Sequence, residues 1–522
     1  MEKCTAVLME ISSIQNYIFR SNKLREIVGA SYLVDEVFNS LLKNILKSMG
    51  LLRTDFQQWK EDPDSIKICD KSINFEIGYI GGGNALLFFR KEDKAKEFIG
   101  KWTKKLLVDA PGMIPVTAHN QFDLDAFEES RNAIFKLLQK NKNRFIPRTL
   151  ITRHGITAEC PRSGYSMEIW NEGLPDENKG YVSSSINAKL EASKRSLHEY
   201  NKGEFSSILN NKFCFTNKLD SLGQRLNEKQ NYISIVHIDG NEMGARFQRL
   251  ESLQETRKLS VFLRRATKNA FKKMILELIK NFDKIQYELG FVTPQEKKEY
   301  PRENGKIVLP IRPIIIGGDD ITFVSHGKLG IYLSQLFMNH FENEPIWGDQ
   351  NVSTCGGVFI SKTKYPFHYG YQRAEELCSN AKKIRHDLKD PGSWVDFHIS
   401  YGGISGNIED VRRIQYEAPE GDLLLRPYKI DQSSDRSLNL ILKMCHEMKL
   451  NIPRSKIFSL RKLLYAEKSS IDSFVRDLKA GGTELPKFNN HNYHELIWEN
   501  ERTPYFDMIE LMEFYPFSVM EE

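Results

Sequence analysis

No stretch of the 522-residue chain offers an uninterrupted apolar run of membrane-spanning length, and the N-terminus holds Glu2 and Glu10 where an export leader needs a basic cluster. Membrane and secreted proteins are excluded on this reading, and a cytoplasmic chain is expected. Cysteine is sparse and scattered: Cys4, Cys69, Cys160, Cys214, Cys355, Cys378 and Cys445 include no C-x-x-C pair. That spacing fits neither a disulfide framework nor a zinc ribbon and leaves reduced, structural thiols. A strong charge of one sign is also lacking. The formal net charge of +5 neither demands nor excludes nucleic acid, because clustering matters more than the sum. His491-Asn-Tyr-His494-Glu495 matches no zincin spacing, which favours surface or core histidines over a zinc site.

What is present is material for several cores. Hydrophobic residues make up 40% of the chain, aromatics 11% and charged residues 27%, and the length predicts roughly two to four domains. A strand at Thr5–Ile11 is followed by Ser12 or Ser13 as a helix cap, then by a helix reaching about Met49 with a break near Gly29. Asp62-Pro63-Asp64 is a loop. Asn74–Phe89 reads as strand, glycine turn (Gly81-Gly82-Gly83-Asn84) and strand, with a helix over Lys91–Val108 and a strand at Ile114–Ala118 after it. The order β-α-β-β-α-β is ferredoxin-like. From Phe122 to Gln230 the text is polar, with turns at Pro161–Gly164 and Gly173–Pro175. Its basic run of Lys140, Lys142, Arg144 and Arg148 is a solvated face or a phosphate patch. The β-α-β-β-α-β order then returns between Ile233 and Ile360, which points to internal duplication. Beyond about Pro427 the spacing is helical. The expected fold is α+β: two ferredoxin-like palm domains (1–121 and 231–427), a linking region (122–230) and a C-terminal helical domain (428–522).

The chemistry concentrates in Ile314–Val324, two apolar β-rich runs joined by Gly317-Gly318-Asp319-Asp320. Glycine and aspartate populate turns for backbone reasons alone. Adjacent carboxylates in so apolar a segment, however, repel and are costly to ionise unless a cation neutralises them, and hard oxygen ligands select magnesium or manganese. In a ferredoxin-like sheet the first strand is central, so Asp239 at its end is expected beside Asp319 and Asp320, next to the strand that leads into the hairpin. Asp239, Asp319 and Asp320 are then the metal ligands and catalytic residues of a two-metal site. Small residues in Gly240-Asn241-Glu242-Met243-Gly244 let backbone N–H groups face phosphate, so Gly240, Asn241 and Gly244 are grouped with Gly317 and Gly318 as nucleotide-contacting. Lys382 or Lys383 would supply a positive charge to the outer phosphates. A nucleotidyl-transfer palm is the leading reading.

The combination of Asp239–Gly244, Gly317–Asp320, Cys355-Gly-Gly-Val-Phe-Ile360, Ala374-Glu-Glu-Leu377 with Ala381-Lys382, and Val395-Asp-Phe-His398 resembles the second palm of the large polymerase-cyclase subunit of type III CRISPR effectors. Glu10–Gln15 with Phe19–Glu26 resembles that subunit's first palm, and the helical C-terminus its last domain. The resemblance implies a synthase of cyclic oligonucleotides, with ATP as substrate, two Mg2+ or Mn2+ ions as cofactors, and a signalling role in antiviral defence. It also implies either guide or target RNA and other effector subunits as partners or a stand-alone relative of that subunit, and Lys382 as the triphosphate contact. The palm strand starts within the first ten residues, so no HD-type nuclease domain is expected ahead of it. The linking region has only Cys160 and Cys214 in place of the family's cysteine zinc motif. Competing readings are a GGDEF-type dinucleotide cyclase, whose palm occurs once per chain, and a non-catalytic RNA- or partner-binding scaffold, which has no need of adjacent acids. The first half keeps the glycines of its turn but not the acids. An asymmetric composite site is therefore expected, with Ser12, Ser13, Lys23 and Arg25 as first-palm contributors, unless these are only a helix cap and an exposed face.

Overall fold

Strand β1 (Lys3–Ser12) sends Val7, Met9 and Ile11 into one core and Cys4, Ala6 and Leu8 into another, the two-residue period of a strand covered on both faces. It is central in an antiparallel sheet of order β2-β3-β1-β4, with β2 at Phe75–Gly81, β3 at Asn84–Phe89 and β4 at Ile114–Asp123. The computed structural model describes residues 3–51, 68, 73–144, 155–172, 174, 180–224, 231–292, 299–347, 352–402, 406–431, 436–488 and 491–520. The loop expected at Asp62-Pro63-Asp64, Cys69, Arg148 and the turn residues Gly173 and Pro175 lie outside them.

Helix α1 (Ile14–Phe19) ends early, and α2 (Leu24–Glu36) continues through a π-helical stretch, Val37–Leu41, into Leu42–Ser48. The break expected near Gly29 thus falls at Arg20–Lys23. Gly29 serves contact instead: a Cβ there would meet the Lys189 carbonyl oxygen at 1.7 Å, so glycine lets α2 cross the linking region closely. Helix α3 (Glu92–Asp109) covers one face of the sheet. Helix α4 (Phe127–Lys142) covers the other, adding Phe127, Ile134 and Leu138 to the core of Cys4, Ala6 and Leu8. The division expected at residue 121 falls inside β4. In the linking region, α5 (Ser184–His198) is the main helix, with the Ser183 hydroxyl accepting from the Ile186 N–H as its cap.

The second sheet holds β5 (Tyr232–Gly240), β6 (Ile311–Ile316), β7 (Ile321–His326), β8 (Thr354–Lys362), β9 (Trp394–Ile399) and β10 (Tyr428–Lys429), in the order β6-β7-β5-β8-β9-β10. Its first four strands repeat the order of the first sheet. The fold is therefore α+β with two ferredoxin-like palms. Short α6 (Met243–Gln248) precedes α7 (Leu253–Lys280), which Ser252 caps by accepting from the Glu255 N–H. Helix α8 (Gly330–Glu342) joins α7 on one face, over Val236, Ile238, Ile321 and Phe323. Helix α9 (Phe367–Asp387) covers the opposite face, where Ile233, Ile235, Val324 and Phe359 share a single core with Val7, Met9 and Ile11 of the first palm. The rings of Phe19 and Tyr371 stack across that boundary at 3.6 Å.

The palms are also clamped polar to polar. Arg257 on α7 ion-pairs with Glu76 of β2 and donates from Nε to the Gly78 carbonyl at 3.3 Å, and Ser260 Oγ donates to the Ile80 carbonyl at 3.1 Å. C-terminal helices at Leu438–Asn451, Arg454–Leu463, Lys468–Ala480 and Tyr505–Phe514 extend the core of α7 and α8. His491 Nδ1 lies 2.6 Å from Glu499 Oε2, and its ring packs on that of Tyr493. Cys4, Cys160, Cys214, Cys355, Cys378 and Cys445 are buried and outside any disulfide. Among the described residues no helix is long and apolar enough to cross a membrane.

Candidate active site

The hairpin between β6 and β7 closes on a bond from the Gly317 N–H to the Asp320 carbonyl, 2.8 Å. Neither glycine of this turn has a positive φ, so their role is close approach rather than backbone freedom. A Cβ on Gly317 would lie 3.1 Å from the Asp320 carbonyl oxygen, and one on Gly240 would lie 2.9 Å from Asp319 Cβ and 3.1 Å from its Oδ2. The end of β5 and the hairpin therefore touch, and Asp319 lies against the strand that carries Asp239. The neighbour of β5 is β7, the strand leading out of the hairpin. The sequence placed the strand leading in there. In the order β6-β7-β5-β8 the third palm strand intervenes, and β6 is the edge.

The other expected contacts divide. Gly244 lies in the first turn of α6 with open space around it. Asn241 turns inward: its N–H donates to the Ser353 carbonyl at 2.9 Å and its side-chain amide to Ser353 Oγ at 3.0 Å. It fixes the turn to β8, and its backbone N–H is taken and not free for phosphate. Lys382 Nζ lies 2.5 Å from Asp239 Oδ2 and 3.5 Å from the Gly240 carbonyl.

Burial holds the Asp319 carboxyl up at about 7 and that of Asp320 at about 8, with Asp239 adding repulsion to both. The Asp320 side chain is one-third exposed, yet its Oδ1 is buried without a hydrogen-bond partner, 3.4 Å from His237 Nδ1. Burial keeps His237 below its usual pKa and hence neutral, and its Nδ1 lies 3.1 Å from Thr322 Oγ1. Glu375 on α9 adds a further negative field at Asp320. Neither His237 nor Glu375 was picked out from the sequence, although Glu375 stands in the Ala374-Glu-Glu-Leu377 motif. Among the described residues, no three His, Cys, Asp or Glu side chains are already drawn together as a metal site. The donor set is nonetheless one that a hard divalent cation fits: an orphaned carboxylate oxygen and two acids that resist ionising without a positive charge.

These shifts fix a pH dependence. Both folded-state pKa values lie above the ordinary aspartate value of 3.8, so the folded chain binds more protons than the unfolded one between about pH 4 and pH 8. With a chelator present, stability is expected to fall as pH rises through that window. Thermal unfolding from pH 5 to pH 8.5 reads this, and Asp319→Asn/Asp320→Asn should flatten the slope. A gap between wild type and variant that does not change with pH contradicts the assigned environment.

The first palm repeats the site with its acids thinned. Met9 faces Ala85 just after the Gly81–Asn84 turn, as Ile238 faces Ile321 just after Gly317–Asp320. One residue on, Glu10 therefore corresponds to Asp239. Three further on, Ser13 and Glu242 both adopt a left-handed backbone, with φ of 56° and 60°. Lys142 of α4 pairs with Glu10 at 2.5 Å, as Lys382 of α9 pairs with Asp239. Gly83 and Asn84 stand where Asp319 and Asp320 stand. Here the glycines do need positive φ, 57° at Gly82 and 77° at Gly83, the requirement of a type I′ turn.

Both turns line one cleft of about 650 Å³ between the palms, the first contributing Gly81 to Gly83 and the second Gly317 to Asp320. Glu10 and Ser13 line it too. Lys23 and Arg25, expected as first-palm contributors, are exposed and outside it. The cations that do line it, Arg264 and Lys268, project from α7 and pair with Asp35 at 3.2 Å and Glu204 at 2.7 Å.

Residues 232–390 match the family model described as Cas10/Cmr2, second palm domain. No curated protein matches the chain. Among solved structures it is similar to Csm1 of T. onnurineus, 14% identical over 99% of this chain and 70% of that one with a TM-score of 0.49. It is likewise similar to a Csm1–Csm4 cassette in complex with pppApApA, 13% identical over 98% and 69% of the two chains with a TM-score of 0.48. A cassette in complex with cA3 is 13% identical over the same shares, with a TM-score of 0.43. Residues 232–390 therefore form a palm domain of the type described as the second palm of Cas10/Cmr2.

Proposed function

We propose that this chain is a metal-dependent nucleotidyltransferase that joins ATP into cyclic oligoadenylate, a second messenger in antiviral defence, within the cleft between its palms. The observation that carries this reading is the convergence of Asp319 and Asp320 with Asp239, opposite a first-palm turn that faces the same cleft. Asp239, Asp319 and Asp320 would hold two Mg2+ or Mn2+ ions, which supply charge neutralisation and lower the pKa of a ribose 3′-hydroxyl. The chain's own residues do the positioning. His237 supports Asp320 from beneath, and the Asn241 amide locks the turn after β5. Lys382, which donates to Asp239 and the Gly240 carbonyl, is the cation for the outer phosphates. The first palm, with one acid in place of three, presents the second nucleotide's 3′-hydroxyl to the α-phosphate of the first, and pyrophosphate leaves. Other effector subunits and guide or target RNA are the partners this reading adds, in the cytoplasm.

The test is binding stoichiometry with a non-hydrolysable ATP analogue in calcium. Two nucleotides per chain are expected. One per chain, with product formation indifferent to replacing the Gly81–Asn84 turn, reduces the first palm to a structural partner.

A further inference from the structure

Beside the cleft lies a second, smaller pocket of about 100 Å³, enclosed by α1, the start of β4, Arg162–Tyr165 and the first turns of α5. Ser13 and Asn16 line both cavities, so the pocket adjoins the first-palm side of the cleft. By the liquid share of a water molecule it has room for about three waters, which suits a phosphate group.

Its wall is rich in donors and short of acids. Lys189 is 4% exposed, and its Nζ donates to the Tyr17 carbonyl at 2.9 Å and lies 4.3 Å from the Tyr17 ring centre. Among the described residues no carboxylate lies within ion-pair distance of it. Arg20 donates to the Tyr165 hydroxyl at 2.6 Å and also has no carboxylate partner there. The acid beneath them, Glu26, is fully buried and taken up by Arg162 and Ser21. The Tyr17 hydroxyl is buried and has no hydrogen-bond partner. A buried ammonium with no carboxylate in contact is costly, and burial draws Lys189 down to about 8, with the charge of Glu26 opposing the fall and that of Arg20 adding to it. An ammonium with unused N–H groups, a guanidinium fork and an orphaned hydroxyl together form the donor set that a tetrahedral oxyanion satisfies.

We infer that this pocket is a phosphate-binding site of the first palm, with its cations supplied by Arg20 and by Lys189 of the linking region. The phosphate arrives as the tail of a nucleotide seated in the first-palm half of the cleft, a source that rests on the proposed function, or as free pyrophosphate, which does not. In the second palm the corresponding turn after β5 is served by Lys382 from that palm's own helix. The first palm has Lys142 of α4 on Glu10 in the same role and adds Lys189 from the linking region, which ties α5 to the state of the cleft.

Calorimetric titration of pyrophosphate, ATP and adenosine into the full chain tests this, in an Asp319→Ala/Asp320→Ala background without divalent metal, so that the second-palm acids contribute nothing. Lys189→Met keeps the volume and removes a buried charge, and Arg20→Gln changes an exposed residue, so both fold; thermal unfolding verifies it. Each is expected to weaken pyrophosphate binding at least tenfold. Affinity within twofold of the parent in both variants overturns the site. An equal loss for ATP assigns the pocket to a nucleotide tail, and a loss for pyrophosphate alone assigns it to the free anion. Adenosine, which has no phosphate, reports on the cleft separately. If it fails to bind the parent chain while the pyrophosphate effect persists, the cleft reading fails and the pocket stands.

Discussion

Asp319→Ala and Asp320→Ala, singly or together, are expected to lower nucleotide condensation about a thousandfold or more while leaving the chain folded. Neither carboxylate holds the fold together. Among the described residues, the ion-pair-range neighbour of Asp320 Oδ1 is His237, whose pKa burial lowers. The backbone bond from Gly317 to Asp320 that closes the hairpin survives either change. Two acids that burial and the charge of Asp239 hold above their ordinary pKa destabilise the fold in the absence of a cation. Their removal should leave the unfolding temperature unchanged or raise it. Pyrophosphate release and unfolding, measured on the same samples, separate the two effects. Full activity in the double variant removes the proposed site, and a fall in stability parallel to the fall in activity shows that the acids are structural.

Arg257→Met is expected to cost about 3–5 kcal/mol of stability, the cost of stranding one partner of a buried ion pair. Arg257 is 1% exposed and Glu76 is 4% exposed, so the carboxylate left behind has no route to water. The same helix carries Thr267, whose hydroxyl donates to the Gly318 carbonyl at 2.5 Å, and also Arg264 and Lys268 in the cleft. Loosening α7 from β2 therefore disturbs the active hairpin as well as the palm contact, and activity should drop with stability. Adding Glu76→Gln, which removes the stranded charge, should recover part of the loss. A destabilisation under about 1 kcal/mol in the single variant shows the pair to be solvated and the clamp unimportant.

The elements with strong local signals were legible in the sequence. The apolar runs flanking Gly317–Asp320 form the hairpin, and the repeated strand and helix order reflects two palms. Legibility failed where meaning depends on pairing. Glu10 reads as a stray acid in an apolar strand, and only the register of β1 against β3 shows it to be the counterpart of Asp239. Lys142 reads as part of a basic run until α4 folds back to bring it to Glu10. Arg264 and Lys268 look like the solvated face of a long helix, because nothing local reveals that a second domain lies against that face. Lys23 and Arg25 misled for the same reason, since their helix is amphipathic and its other side faces the core. Asn241 sits in a turn of phosphate-binding composition, but its amide is occupied by Ser353, more than a hundred residues away. Gly29 carries no local mark that separates a helix break from a close helix crossing.

The central claim is that one chain forms phosphodiester bonds between nucleotides held by its two palms. The direct measurement is incubation of the purified protein with radiolabelled ATP and magnesium, together with its effector partners and target RNA, followed by mass analysis of the products. The account predicts cyclic oligoadenylates with one pyrophosphate released per bond, and none from the Asp319→Ala/Asp320→Ala protein. A wild-type chain that binds two nucleotides yet releases no pyrophosphate under these conditions would contradict it.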